Sequence, residues 1–352
     1  MKKLFKNMAL VIAAGAMLVG LAACGSSSDG GTTAEGGSPD KVYTFSWAHS
    51  SSTNDRLALA TEKMAAELLE ASDGRLVIEH YPASQLGAER EILEGVTLGT
   101  VDFGVISSGV VASFSDAIQV TSVPYMIDER ELGWAVYDGE FGAMLGARTE
   151  QDANWKFLGW AENSLRMFSN RTREIQTPAD MAGLKIRPQE NDIHMQIVND
   201  LGASATPVNF AELYAALQQG MVDGQENGVA LTYSMGFHEV VKYMTYYPHI
   251  YDPYIVVMST DAWNSLPPDL QELVQEYALK FCQYEREFNK ENDETFLAEM
   301  EAGGLNVYYP TDEQKAEFVE ATSKVEDSVR AKIGDELVDA YIQAVEDAKA
   351  AQ

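Results

Sequence analysis

The chain has 352 residues, enough for two domains around a sizeable core, and its 46% hydrophobic and 10% aromatic content is that of a globular protein. Asp and Glu number 54 against 25 Lys and Arg, leaving a net charge of −29. This excludes a nucleic-acid partner, because phosphates require a basic surface. It does not exclude an anionic small molecule, since charges beyond about 8–10 Å are screened and one arginine in a closed cleft acts locally.

Residues 1–23 read as a signal peptide. Lys2, Lys3 and Lys6 precede an apolar run from Met8 to Ala23, shorter than the ~20 residues of a spanning helix. Leu21-Ala22-Ala23-Cys24, followed by Gly25-Ser26, resembles a bacterial lipoprotein signal, with a diacylglyceryl group on Cys24 as the expected anchor. Cleavage there removes three lysines and takes the net charge from −29 to −32. Residues 24–40 contain almost no apolar side chain and are expected to be a flexible tether. With Cys24 lipidated, Cys282 has no partner in the chain and is expected to pack as a small apolar residue.

From Lys41 onward strand and helix patterns alternate, which favours a largely parallel sheet covered by helices. Tyr43–Ala48, Leu76–Tyr81 and Val101–Ile106 read as strands. Asp55–Ser72 and Glu89–Leu98 read as amphipathic helices with Leu57, Met64, Leu68 and Ile92, Leu93, Val96 inward. After an apolar strand at Phe157–Trp160, a second set follows: strand Leu184–Arg187, helix Asp192–Leu201, strand Ala205–Val208, helix Ala211–Gln219, and strands at Met244–Tyr247 and Tyr254–Ser259. Leu98-Gly99-Thr100-Val101-Asp102 is echoed by Gln219-Gly220-Met221-Val222-Asp223, as if two lobes shared one helix-to-strand corner. The last third is helical. The stretch from Pro268 to about Met300, with a break expected near Asn289–Asp293, is long enough at ~45 Å to run across both lobes. Thr311–Ile333 and Asp335–Ala350 complete it.

No metal-ligand spacing joins the five histidines, and no nucleophile elbow, P-loop or dinucleotide fingerprint is present; no cofactor, metal or catalytic set is expected. Binding is better supported. Between Arg166 and Arg187 five cations face two acids, a basic interval in an acidic chain. Arg171 and Arg173 lie in a polar turn and read, with Lys185, as solvated charge. Gly183-Leu184-Lys185-Ile186-Arg187-Pro188 puts Arg187 at the C-terminal end of a strand, where open α/β sheets bind ligands. Its planar guanidinium can meet a carboxylate bidentately. Asn209 or Phe210 opens a helix, where N–H groups favour anions, and Asn227 ends a glycine-flanked strand. Trp47, His49 and Glu89 lie at strand-to-helix corners and are expected to face the cleft.

These residues carry a resemblance. Pro82-Ala83-Ser84-Gln85-Leu86-Gly87, Val123-Pro124-Tyr125, Thr177-Pro178-Ala179-Asp180 leading into Lys185-Ile186-Arg187, Leu213-Tyr214-Ala215-Ala216-Leu217-Gln218 and Val222-Asp223-Gly224-Gln225-Glu226-Asn227 together resemble the extracytoplasmic solute receptors of tripartite ATP-independent periplasmic (TRAP) transporters, in the C4-dicarboxylate-receptor-like group. The likeness covers nearly all of Lys41 to about Ala344. It implies an α/β, two-lobed periplasmic-binding-protein-like fold with crossing hinge strands and a long helix spanning both lobes. The expected division is 41–163 plus about 253–292 for lobe I and 164–252 plus about 293–352 for lobe II. The resemblance further implies a monomer that is not an enzyme. It captures a small carboxylate-bearing solute, a dicarboxylate or a sugar acid, and delivers it to an ion-gradient-driven permease from an extracytoplasmic position, to which the Cys24 motif adds the expected lipid anchor. Arg187 would clamp the carboxylate, with Arg166, Asn227 and Phe210 as further ligand contacts. Where the family often has proline after that asparagine, this chain has Gly228, which is expected to loosen the site. The competing readings are a cell-surface carbohydrate-active enzyme using paired carboxylates, and a sensor receptor for a kinase.

Overall fold

A computed structural model of the protein describes residues 41–352; the expected signal peptide, Cys24 and the expected tether lie outside the described residues. The first unit of alternation is β1 (Tyr43–Ala48), α1 (Arg56–Ala71), β2 (Leu76–Tyr81), α2 (Glu89–Leu98), β3 (Phe103–Ser107) and the single turn α3 (Ser108–Val111). Asp55 caps α1 by accepting the Leu57 N–H. β1 pairs in parallel with β2 and β3. Trp47, Phe103, Met64, Leu68, Phe281 and Cys282 pack into one core beneath them. Burial pushes the Cys282 thiol up to about 12, so it is the inert apolar residue expected.

Two helices, α4 (Arg130–Asp138) and α5 (Glu140–Asp152), lead into β4 (Trp155–Asn170), a 16-residue strand that extends the Phe157–Trp160 expectation in both directions. The second alternating unit is β5 (Lys185–Arg187), α6 (Asp192–Asp200), β6 (Ser204–Ala205), α7 (Leu213–Gln219), β7 (Gly224–Asn227), α8 (Val229–Ser234) and β8 (Tyr243–Thr245). β5 pairs in parallel with β6 and β7. β9 (Ile250–Ser259) then returns antiparallel to β4 from Arg166↔Ile250 to Trp155↔Ser259, with irregularities at Phe157/Gly159 and Glu162/Ser164. The strand order β2-β1-β3-β9-β4-β7-β5-β6 puts the β4–β9 pair between the two units, and these are the crossing strands.

The chain ends with α9 (Thr260–Asn264), α10 (Pro268–Ala302), β10 (Asn306–Tyr308), α11 (Asp312–Ala321), α12 (Val325–Ile333) and α13 (Asp335–Ala351). α10 is one unbroken helix of 35 residues, about 52 Å long. The expected break is absent because the segment contains no glycine or internal proline and Asn289 is used in packing against β4, its Nδ2 donating to Glu162 Oε1 at 3.1 Å. Leu270, Val274 and Phe281 of α10 enter the first unit's core, and Met300 enters the second unit's. The C-terminal helices touch both units. Tyr341 of α13 packs 5.2 Å from Phe141 of α5, and Lys332 at the end of α12 pairs with Asp192 of α6. No helix among the described residues is long and apolar enough to cross a membrane.

The echoed corner is real in three dimensions. Gly99 and Gly220 both adopt left-handed conformations, at φ 72° and 73°. Val101 and Val222 are both buried. Asp102 Oδ2 accepts the Ser46 N–H at 2.8 Å, and Asp223 Oδ2 accepts the Lys185 N–H at 2.9 Å. Each aspartate thus ties its corner to the opening strand of its own unit.

Candidate functional site

The C-terminal ends of β3, β5 and β7 converge on a narrow cleft, the position that strand polarity predicts for a ligand. Arg187, Asn209, Phe210 and Asn227 line it from the second unit. Glu89, Arg90 and Ser107 line it from the first, and Asn163 and Tyr254 line it from the crossing strands.

Arg187 closes β5 and is 4% exposed. Its Nε donates to the Val208 carbonyl at 2.7 Å, which leaves the two Nη groups to the cleft. Burial pushes its guanidinium down to about 10, opposed by Glu226; it remains a cation at neutral pH without a carboxylate in contact among the described residues. The Phe210 ring centre lies 6.0 Å from its Cζ and is braced edge-on by Phe237. Asn209 caps this turn by accepting the Ala211 N–H at 3.0 Å. Glu89 opens α2. Its carboxylate accepts from the Ser107 hydroxyl at 2.6 Å, the Ser107 N–H at 3.1 Å and the Ser50 hydroxyl at 3.1 Å. Burial raises the Glu89 carboxyl above the usual range, against these hydrogen bonds. Asn227 is held by its pairing with Met167 and by donation to Gln225 Oε1.

Three expected contacts lie elsewhere. Trp47 stacks on Phe103 at 5.0 Å and meets Phe281 edge-on, inside the first unit's core. His49 is fully buried with its Nε2 2.9 Å from that of His80, and burial pushes its imidazole down to about 3. A corner position alone does not specify which way a side chain turns. Arg166 is fully buried behind the cleft. It donates to both Glu226 oxygens and, at 2.8 Å, to Asp252 Oδ2, so its fork is consumed within the protein. Arg171, Arg173 and Lys185 are exposed, as expected.

Asp252 of β9 is the residue that sequence reasoning missed most completely. Its Oδ1 accepts from Ser108 of α3 at 2.6 Å. Its Oδ2 accepts from Asn163 at 2.8 Å, Arg166 at 2.8 Å and Gln189 at 3.0 Å. One carboxylate therefore joins both crossing strands and both units. A lone acid among 54 carries no signal of this kind; Gln189, two residues beyond Arg187, could have been suspected from its neighbour.

Gly228 is not loose. It sits in extended backbone, φ −80° and ψ 177°, which any residue adopts. A Cβ there would lie 2.3 Å from Ser164 Cβ, so glycine is required by the close approach of β4.

Two α/β units joined by crossing strands, with a buried cation between them, define a two-lobed ligand receptor. The chain belongs to the family described as DctP, bacterial extracellular solute-binding protein, family 7, which it matches over residues 47–332. A solute-binding protein of Verminephrobacter eiseniae is 34% identical over 276 residues, 78% of this chain and 82% of that protein. Two solved structures share the fold. A TRAP periplasmic solute-binding protein from a Polaromonas species, bound to D-erythronate, is 27% identical with a TM-score of 0.81, covering 85% of this chain and 98% of its own. One from Sulfurospirillum deleyianum, with bound succinate, is 28% identical with a TM-score of 0.81, covering 87% and 99%. These relatives are ligand receptors, and the paired-carboxylate enzyme finds no support among them.

Proposed function

We propose that this protein is a lipid-anchored extracytoplasmic receptor that captures a small hydroxylated monocarboxylate, of the sugar-acid class, and delivers it intact to an ion-gradient-driven TRAP permease. The observation that carries the ligand reading is Arg187, a nearly buried cation whose two Nη groups face the cleft. A ligand carboxylate bonded to it contributes about 1.5–3 kcal/mol. Glu89 argues for the rest of the ligand. A second carboxylate near it would be repelled by up to about 4 kcal/mol at 4 Å and an effective dielectric of 20, whereas a hydroxyl can donate to it. Asn163, Asn209 and Asn227 offer both donors and acceptors, which suits a polyol chain better than a second anion.

Calorimetry with D-erythronate, D-gluconate and succinate tests the reading. Wild-type protein is expected to bind a hydroxy acid, and Arg187→Ala to weaken it at least tenfold; unchanged affinity in that variant removes Arg187 from the site. Bound acid released by denaturation should have its original mass, and a turned-over product would restore the enzyme reading. The anchor rests on the sequence around Cys24. Cys24→Ser is expected to move the protein from the membrane fraction to the soluble fraction, and continued membrane association refutes lipidation at that thiol.

A further inference from the structure

Gln189 faces three ways. Its N–H donates to Glu226 Oε1 at 3.3 Å, its Nε2 donates to Asp252 Oδ2 at 3.0 Å, and its side chain lies against Gly109 of α3. Gly109 follows β3 in the first lobe, and Gln189 follows β5 in the second, so this contact spans the cleft. A Cβ at position 109 would sit 1.7 Å from Gln189 Oε1 and 2.9 Å from its Cδ. The amide is not free to swing aside, because Asp252 holds its nitrogen and Gln189 Cβ would itself be 3.3 Å from the added atom. Two residues on, Asn191 Nδ2 donates to the Gly109 carbonyl at 3.2 Å. Elsewhere the lobes also meet where Ser234 of α8 donates to Asp55 at 2.7 Å. Gln189 itself lines the cleft, as do Ser107 and Val110 on either side of Gly109, so this contact borders the ligand space.

We propose that Gly109 and Gln189 form a size-matched latch that sets the closed position of the lobes and holds the cleft at the height its ligand requires. The missing side chain at 109 is what admits the long amide, and Asp252 reports its arrival to both crossing strands. For its ligand the latch rests on the receptor reading above; its geometry does not.

The test is a double-variant cycle on the full chain. Gly109→Ala is expected to weaken D-erythronate at least tenfold. Gln189→Asn alone also weakens it, yet the pair binds more tightly than Gly109→Ala alone, because the shorter amide makes room for the methyl group. Losses that simply multiply overturn the latch. Backbone hydrogen exchange reads the same contact without ligand: Gly109→Ala should speed exchange at residues 189–194, and the double variant should slow it again. Equal exchange in all three proteins overturns the latch whether or not an acid binds. Failure of wild type to bind D-erythronate, D-gluconate or succinate overturns the receptor reading instead, and the exchange result still decides the latch.

Discussion

At the residue scale the cleft is a pair of opposed charges with different duties. Arg187 is held by one backbone carbonyl and its fork meets no carboxylate among the described residues, whereas Arg166 spends its fork on Glu226 and Asp252. Two arginines that look alike in the sequence are thus separated into a cleft-lining cation, the proposed ligand contact, and a buried partner of the crossing strands by what surrounds them. In the proposed function Glu89, which lines the same cleft, is the counterpart that selects. Glu89→Gln removes the like charge while keeping an acceptor, so the ratio of the succinate to the D-erythronate dissociation constant is expected to fall about tenfold or more. Calorimetry on both acids checks this, and an unchanged ratio removes Glu89 from selection. The sequence pointed to Arg187 because it ends a strand beside a proline, and to Glu89 because it opens a helix. It could not show that Trp47 turns into the core, since a strand residue's face depends on register with its neighbours.

At the element scale the two lobes repeat one corner. A helix ends on a left-handed glycine, a buried valine follows, and an aspartate accepts the N–H of that lobe's first strand. Gly99→Ala and Gly220→Ala are each expected to cost about 1 kcal/mol, the penalty of a Cβ at positive φ. At Gly220 the new methyl group also displaces the Arg171 guanidinium, 2.6 Å away. Urea unfolding of the two variants measures it, and a cost near zero at both sites would remove the conformational argument. This corner was legible because glycine and aspartate each have a local reason to stand there. The continuity of α10 was not: Asn289 and Asp293 suggested a break, and only their tertiary partners, Glu162 and Arg130, show why the helix runs through.

At the scale of the whole molecule the lobes are joined by buried charge. Burial alone would raise the Glu226 carboxyl, but Arg166 and the His249 hydrogen bond outweigh it and hold it well below the usual range. A depressed carboxylate contributes stability above its unfolded pKa of about 4.3, and this is lost as pH falls towards the folded value. Thermal stability should therefore decline steadily below about pH 4. Glu226→Gln, which leaves Arg166 with Asp252 alone, should cost about 3–5 kcal/mol at pH 7 and flatten that acid limb. An acid limb as steep as wild type would assign the loss to other carboxylates.

The sequence by itself determined the alternation of strands and helices, the glycine-ended corners, a cation at the end of a strand and the family, because each depends on short-range chemistry: periodicity, capping, glycine at positive φ. Only the tertiary structure decided which arginine lines the cleft and which is spent on buried ion pairs, why position 228 is glycine, and how Asp252 and Gln189 tie the lobes together. Those outcomes depend on side chains brought within 3 Å from distant parts of the chain, as Asp252 is to Ser108. Local pattern carries no record of such distances.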